Sequence, residues 1–404
     1  MIPHVLPTRF FLNPRADPAL PYGPGERSVL SSRENDLAFR EISSWVGYEP
    51  TPLLELPHLA RRLGVRTLWY KDEGGRLGLG SFKALGGAYG VLRVLERELR
   101  RRGSGPVSSR DLLASSHGDR VREITVTCAS LGNHGRSVAW GASVFGCRAV
   151  IFIPSGTDAC RVSAIQELGA RVIPVEGSYD DAVRTAARSA EEKEGWHVVS
   201  DTAYPGYEEI PRFILQGYAV IPREALDQVG EGRRPTHVFL QAGVGGLAAG
   251  VTAFFWEELG PRRPLVTVVE PTEADCLLES ALVGHPSPSP GSLDTTMSCL
   301  ACREPSTLAW RILDRGANAF VTVHDQAVEE TVALLAGGLG GDPPVLSQPS
   351  GVAGLTGLIA ALFEPALSEP LDLGEYSDVL IIGSEGPIRE RSTNERPAEA
   401  TENP

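Results

Sequence analysis

Cysteine is sparse in this 404-residue chain. Its six thiols, Cys128, Cys147, Cys160, Cys276, Cys299 and Cys302, are far too few for a disulfide scaffold. No charged and apolar leader opens the chain, and no stretch reaches the roughly eighteen apolar residues of a membrane span. A soluble, cytoplasmic, reduced protein is expected. Basic charge is also short, with 38 Lys and Arg against 51 Asp and Glu, a net charge of −13 and a pI near 5.2. A chain this acidic gains nothing from counterion release, so neither nucleic acid nor an anionic membrane is an expected partner. Cys299-Leu-Ala-Cys302 lacks both the second pair of a metal site and a thioredoxin-like context, so packed thiols and no metal are expected.

Glycine and proline are plentiful instead, at 44 and 31 residues. Apolar residues at 42% and charged residues at 22% are ordinary globular usage, so the excess does not signal general disorder. Residues 1–35 read as an extended arm rich in Pro, Arg and Asn. A short helix is expected in Asp36–Val46, a strand over Arg66–Asp72, and a helix over Ser81–Arg102. Residues 101–119 form a charged, Ser- and Gly-rich insertion. Strands and helices then alternate from Ile124 to Ser200, and again through a helix over 210–225 and strands at 236–240, 265–270 and 378–382. Such alternation implies right-handed β-α-β crossovers and a parallel sheet. Residues 389–404 read as a disordered tail. Many glycines fall between a strand and the next helix: Gly78 and Gly80, Gly132 and Gly135, Gly243, Gly245 and Gly246, Gly383 and Gly386. That edge of an open α/β sheet is where ligands bind.

Lys83 opens an otherwise apolar helix, close to the partial positive charge of unpaired N–H groups. The setting predicts a depressed pKa, as an amine nucleophile needs, although a lysine snorkelling from a helix end also fits. Ala242-Gly-Val-Gly-Gly-Leu-Ala-Ala-Gly250 follows a strand and can wrap an anion with backbone N–H groups. It is neither a Walker loop nor a dinucleotide fingerprint, because no Lys-Ser/Thr follows and Ala248 takes the third glycine position.

The combination of Ser-Phe-Lys83, Gly-Asn-His at 132–134 and Ala-Gly-Val-Gly-Gly at 242–246 resembles the fold-type II enzymes that use pyridoxal 5′-phosphate. Further blocks are similar to the diaminopropionate ammonia-lyase family. They include Gly132-Asn-His-Gly-Arg136, Asp201-Thr-Ala-Tyr-Pro-Gly-Tyr207, Gln241-Ala-Gly-Val-Gly-Gly and Cys299-Leu-Ala-Cys302-Arg-Glu-Pro305. The likeness covers about residues 35–388. It implies an α/β fold with two open, twisted, mainly parallel sheets flanked by helices. The large lobe would hold 36–120 and 205–388, and a small mobile lobe 121–204. It implies a homodimer and a small amino-acid substrate. Lys83 would bond the cofactor covalently and later take the substrate α-proton. Phe82 would border the ring, Asn133 would bind its phenolic oxygen, Gly243, Val244, Gly245 and Gly246 would hold the phosphate, and Ser384 would face the pyridine nitrogen. The turn through Ser130, Leu131, Gly132 and His134 would take the substrate carboxylate. Asp201 would bind the substrate's second ammonium, although a turn or helix-cap aspartate fits the same position.

The implied reaction is α,β-elimination through aminoacrylate to pyruvate and ammonia. Serine/threonine dehydration, β-replacement and a non-catalytic cofactor-binding protein are the alternatives. Two departures bear on the substrate. Leu131 stands where the family has an aspartate tied to the D-isomer, and Gln348-Pro349 stands near where relatives carry an acid. A site that has lost two carboxylates is expected.

Overall fold

A computed structural model describes residues 2, 3, 5, 7–130, 132–177 and 179–387. In chain order its strands are β1 (Phe10–Leu12), β2 (Leu53–Glu55), β3 (Thr67–Asp72), β4 (Thr125–Ala129), β5 (Arg148–Pro154), β6 (Arg171–Val175), β7 (Trp196–Val198), β8 (His237–Gln241), β9 (Leu265–Pro271), β10 (Ala319–Val323) and β11 (Asp378–Gly383). Among the described residues they form two sheets. The larger runs β1-β10-β9-β8-β11-β3-β2 and the smaller β6-β5-β4-β7. All neighbours are parallel except the two edge strands of the larger sheet, β1 on β10 and β2 on β3. Helices cover both faces of the larger sheet's centre, so β8 and β10 are buried at every residue and are mostly apolar, with His237, Gln241 and Thr322 as the polar members. No helix among the described residues is long and apolar enough to cross a membrane.

Several expectations change. The first 35 residues are more than an arm: β1 pairs with β10, a helix spans Pro24–Arg27, and the next runs Ser32–Ile42. The single helix expected over 210–225 is two, Glu209–Tyr218 and Val220–Gln228. Pro222 has no N–H to give the Tyr218 carbonyl, which breaks the ladder there. The insertion after Arg101 folds into Ser109–Leu113, closed by a Ser108–Asp111 capping box, and Gly118–Arg122. The strand β10 and the helices Cys276–Val283 and Thr307–Gly316 were not anticipated. The tail assigned to 389–404 lies outside the described residues.

Two packing features position the site. The helix Lys83–Arg101 lies against the helix Asn133–Phe145 on a seam of small residues. A Cβ on Gly87 would sit 2.3 Å from Ser137 Oγ, and one on Gly141 would sit 2.8 Å from Ala88 Cα. The Ser137 hydroxyl donates to the Lys83 carbonyl at 2.6 Å, tying the first residue of one helix to the other.

The second is a fully buried ion cluster below the lysine loop. Lys71 Nζ meets Glu224 Oε2 at 2.6 Å, and Arg76 spans Glu73 and Glu224 at 2.7–2.8 Å. Tyr48 and the Thr51 N–H also donate to Glu224. Two cations and two carboxylates balance, so no net charge is left in the interior. Replacing Glu224 with Ala strands two buried cations beside one acid. A loss of about 3–5 kcal/mol is expected from urea unfolding, whereas Arg101→Ala, which removes an exposed arginine and leaves Arg102 paired with Glu98, is expected to change stability by less than about 1 kcal/mol.

Candidate active site

Five segments that leave strand carboxyl ends converge here. Lys83 follows β3, Asn133 follows β4, Asp201 follows β7, Gly243–Gly246 follows β8, and Ser384 follows β11. This is the sheet edge where the glycine count pointed. The larger sheet supplies Lys83, the glycine turn and Ser384, and the smaller sheet supplies Asn133 and Asp201.

Lys83 is the first residue of its helix, and its ammonium pairs with the Asp201 carboxylate. Its Nζ lies 5.1 Å from the centre of the Phe82 ring and 5.7 Å from that of Tyr218. The depressed lysine pKa expected from the sequence is not what this geometry produces. Burial does pull the pKa down, but the Asp201 carboxylate outweighs it and holds the ammonium well above the usual lysine range. Burial likewise pushes Asp201 up, and the Lys83 charge holds it below the usual carboxylate range. Asp201 is therefore an ion-pair partner and caps no helix.

The chain has only three lysines, and this narrows the choice of amine. Lys71 is locked in the ion cluster. Lys193 is exposed and lies 4.2 Å from the Trp196 ring centre. Of the three, Lys83 alone stands at the carboxyl edge of the sheets, beside Asp201.

The glycine turn is shaped as a cup. Gly245 takes a left-handed conformation, φ 93°, and opens the helix Gly246–Leu259, which no side chain caps. A Cβ on Gly243 would sit 2.7 Å from Cys302 Sγ and 3.2 Å from Leu300 Cα. The Val244 carbonyl accepts from Ser306 N–H at 2.9 Å. First-turn N–H groups of an uncapped helix suit a phosphate.

The substrate turn is partly committed to its own structure. Ser130 Oγ accepts from Gly135 N at 2.8 Å and Gly132 N at 3.2 Å, so two of the turn's N–H groups are already used. The N–H groups of Asn133 and His134, in the first turn of their helix, remain suited to an anion. His134 Nε2 bonds the Val199 carbonyl at 2.8 Å, and its buried Nδ1 has no hydrogen-bond partner and lies 3.8 Å from Asp201. Leu131 lies outside the described residues.

Two groups of the site were missed. Glu385 is buried, and its Oε2 accepts from Asn133 Nδ2 at 2.6 Å and lies 3.4 Å from Cys299 Sγ. Burial pushes its pKa up. Its backbone accepts from Ser347, so it packs on the very segment whose acid is replaced by Gln348-Pro349. The site therefore holds a buried carboxyl group beside that segment. The other is Tyr218, fully buried, with its ring 4.8 Å from that of Phe82 and no partner for its hydroxyl. Gly86 makes room for it, since a Cβ there would lie 2.4 Å from the ring. Cys299 and Cys302 are packed thiols, as expected, but they line the site. Burial raises Cys302 to about 11. Among the described residues no His, Cys, Asp and Glu group is arranged to hold a metal.

A family model described as pyridoxal-phosphate-dependent enzyme matches residues 45–384. Diaminopropionate ammonia-lyase of Escherichia coli is 39% identical over 367 residues, 90% of this chain and 91% of its own length. The chain belongs to the diaminopropionate ammonia-lyase family of pyridoxal-phosphate-dependent enzymes. Solved structures agree. The holo form of the E. coli lyase superposes with a TM-score of 0.84 at 35% identity, covering 96% of this chain and 95% of that one. The same lyase in complex with an aminoacrylate–cofactor azomethine intermediate gives 0.82 at 36% identity, with 95% of each chain covered. The residues here fit the family's cofactor: the Gly243–Gly246 turn opens a helix that no side chain caps, Lys83 stands at the sheet edge paired with Asp201, and the Tyr218 hydroxyl and His134 Nδ1 are buried without hydrogen-bond partners. Replacing Asp201 with Asn leaves burial of Lys83 unopposed. In cofactor-free protein the Lys83 pKa is then expected to fall from above its usual value to below about 10.4, read from the pH dependence of amine labelling at Lys83 by mass spectrometry.

Proposed function

We propose that this chain is a pyridoxal-phosphate-dependent ammonia-lyase that eliminates the β-amino group of 2,3-diaminopropionate or a close analogue, yielding pyruvate and ammonia. The observation that carries this reading is the Lys83–Asp201 pair, held between the two sheets beside the uncapped glycine cup. Gly243–Gly246 would hold the cofactor phosphate, Asn133 the phenolic oxygen and Ser384 the ring nitrogen, with Phe82 bordering the ring. Pyridoxal phosphate supplies the electron sink for the α-carbanion.

The remaining work belongs to the chain. Lys83 takes the substrate α-proton at Nζ. Asp201 beside it holds the resulting ammonium and draws the substrate's β-ammonium to the same place, so ammonia leaves next to a carboxylate. The Ser130–His134 turn fixes the α-carboxylate. The unit 121–204 carries both this turn and Asp201, and its closure over the substrate excludes water. Released aminoacrylate hydrolyses to pyruvate and a second ammonia. The reading takes the enzyme as a cytoplasmic homodimer, as related cofactor enzymes commonly are.

With purified holoenzyme, L-2,3-diaminopropionate is expected to give pyruvate and ammonia faster than serine, threonine or O-activated serines. Lys83→Ala is expected to remove turnover and the visible cofactor band together, and turnover unchanged in that variant would refute the proposal. Leu131 offers no base where the family has an aspartate. The D-isomer is therefore expected to react roughly 100-fold more slowly than the L-isomer, the scale of one lost general base, in a coupled pyruvate assay.

A further inference from the structure

Gln241 ends β8 and is 1% exposed. Its side chain crosses to β11, where Nε2 donates to the Ile382 carbonyl at 2.8 Å and to Ser384 Oγ at 2.7 Å. The Gly351 carbonyl lies 3.2 Å from the same nitrogen. Carbonyl oxygens only accept, so these two neighbours fix which end of the amide is nitrogen. The opposite end, Oε1, is buried with no hydrogen-bond partner and packs against Gly354, where a Cβ would lie 2.8 Å away. An amide turned the other way would set its oxygen against two carbonyls. The nitrogen therefore faces Ser384, and Ser384 Oγ accepts.

A hydroxyl that accepts from Gln241 has its own hydrogen to give elsewhere. Among the described residues Ser384 Oγ has no protein acceptor for it. The backbone is held too, since the Ser384 carbonyl takes the Phe82 N–H at 3.1 Å. Ser384 can thus neither shift nor reverse its polarity without losing the bond from Gln241.

We propose that Gln241 is a positioning residue: it makes the Ser384 hydroxyl a donor to the cofactor and keeps the cofactor's ring nitrogen unprotonated. This rests on the placement of Ser384 at that nitrogen in the proposed function. A ring nitrogen held as an acceptor is a weaker electron sink than a protonated one. The α-carbanion is then short-lived, which favours expulsion of the β-amino group over return of a proton to the α-carbon. The bias toward elimination is set one residue behind the one that touches the cofactor.

The test is nitrogen-15 NMR of holoenzyme reconstituted with ring-labelled pyridoxal phosphate, alongside steady-state kinetics on L-2,3-diaminopropionate. Native enzyme is expected to show an unprotonated ring nitrogen. Gln241→Glu presents an acceptor to Ser384, so the hydroxyl turns toward it. The nitrogen signal is expected to move toward the protonated position, with kcat falling about tenfold, the scale of one net hydrogen bond, and KM changing little. Gln241→Met, which keeps the volume and removes the donor, serves if the Glu variant does not fold, and is expected to move the signal the same way by less. A protonated nitrogen in native enzyme, or a signal and kcat unmoved in the folded variants, overturns the inference. If native protein binds no cofactor or releases no pyruvate, the proposed function itself fails, and the two failures are told apart in the same preparation.

Discussion

Everything at the site hangs on a short antiparallel bridge between two loops. The Phe82 N–H meets the Ser384 carbonyl at 3.1 Å, and the Gly386 N–H meets the Gly80 carbonyl at 2.9 Å. Ser81 and Glu385 pair between them. The loops come from β3 and β11, which are neighbours in the sheet. Their close approach needs glycine, because a Cβ on Gly74 would sit 2.8 Å from Gly386 Cα. The bridge sets the distance between Lys83 and Ser384. The ion cluster under β3 anchors one side of it, and the small-residue seam along the lysine helix carries the geometry across to Asn133.

Charge at the site is arranged with the same economy. One half-buried cation, Lys83, faces one half-buried carboxylate, Asp201, and each pulls the other's ionisation away from its ordinary value. Glu385 sits apart from that pair: burial pushes it up, while hydrogen bonds from Cys299, Asn133 and Ser350 and the Arg161 charge pull it partly back. The site thus keeps two carboxyl groups with opposite tendencies, set by what each one faces.

Much of this was legible in the sequence because parallel strands buried on both faces leave mostly apolar runs, and the turns after them are marked by glycine. That was enough to find the sheet edge, the cup at Gly243–Gly246 and Lys83. What escaped was long-range. Asp201 lies 118 residues from Lys83, and reading only the helix start gave the lysine pKa the wrong direction. Glu385 is one acid in Gly-Ser-Glu-Gly, and nothing local says it points at Asn133. The break before Pro222 was local and readable, but apolar periodicity continues across it. β10 was hidden in a short five-residue run, Ala319–Val323, between the unread helix Thr307–Gly316 and the helix that opens at Asp325.

The scarcity of lysine has a practical side. Lys71 is sealed beneath the sheet, and Lys193 rests on a tryptophan at the far end of the smaller unit. With Asp201 holding Lys83 as an ammonium, the exposed Lys193 is the readier amine toward an activated ester in cofactor-free protein. Removing Lys193 would leave a chain whose two remaining lysines are both engaged by carboxylates, so a single substitution yields a scaffold with no exposed lysine.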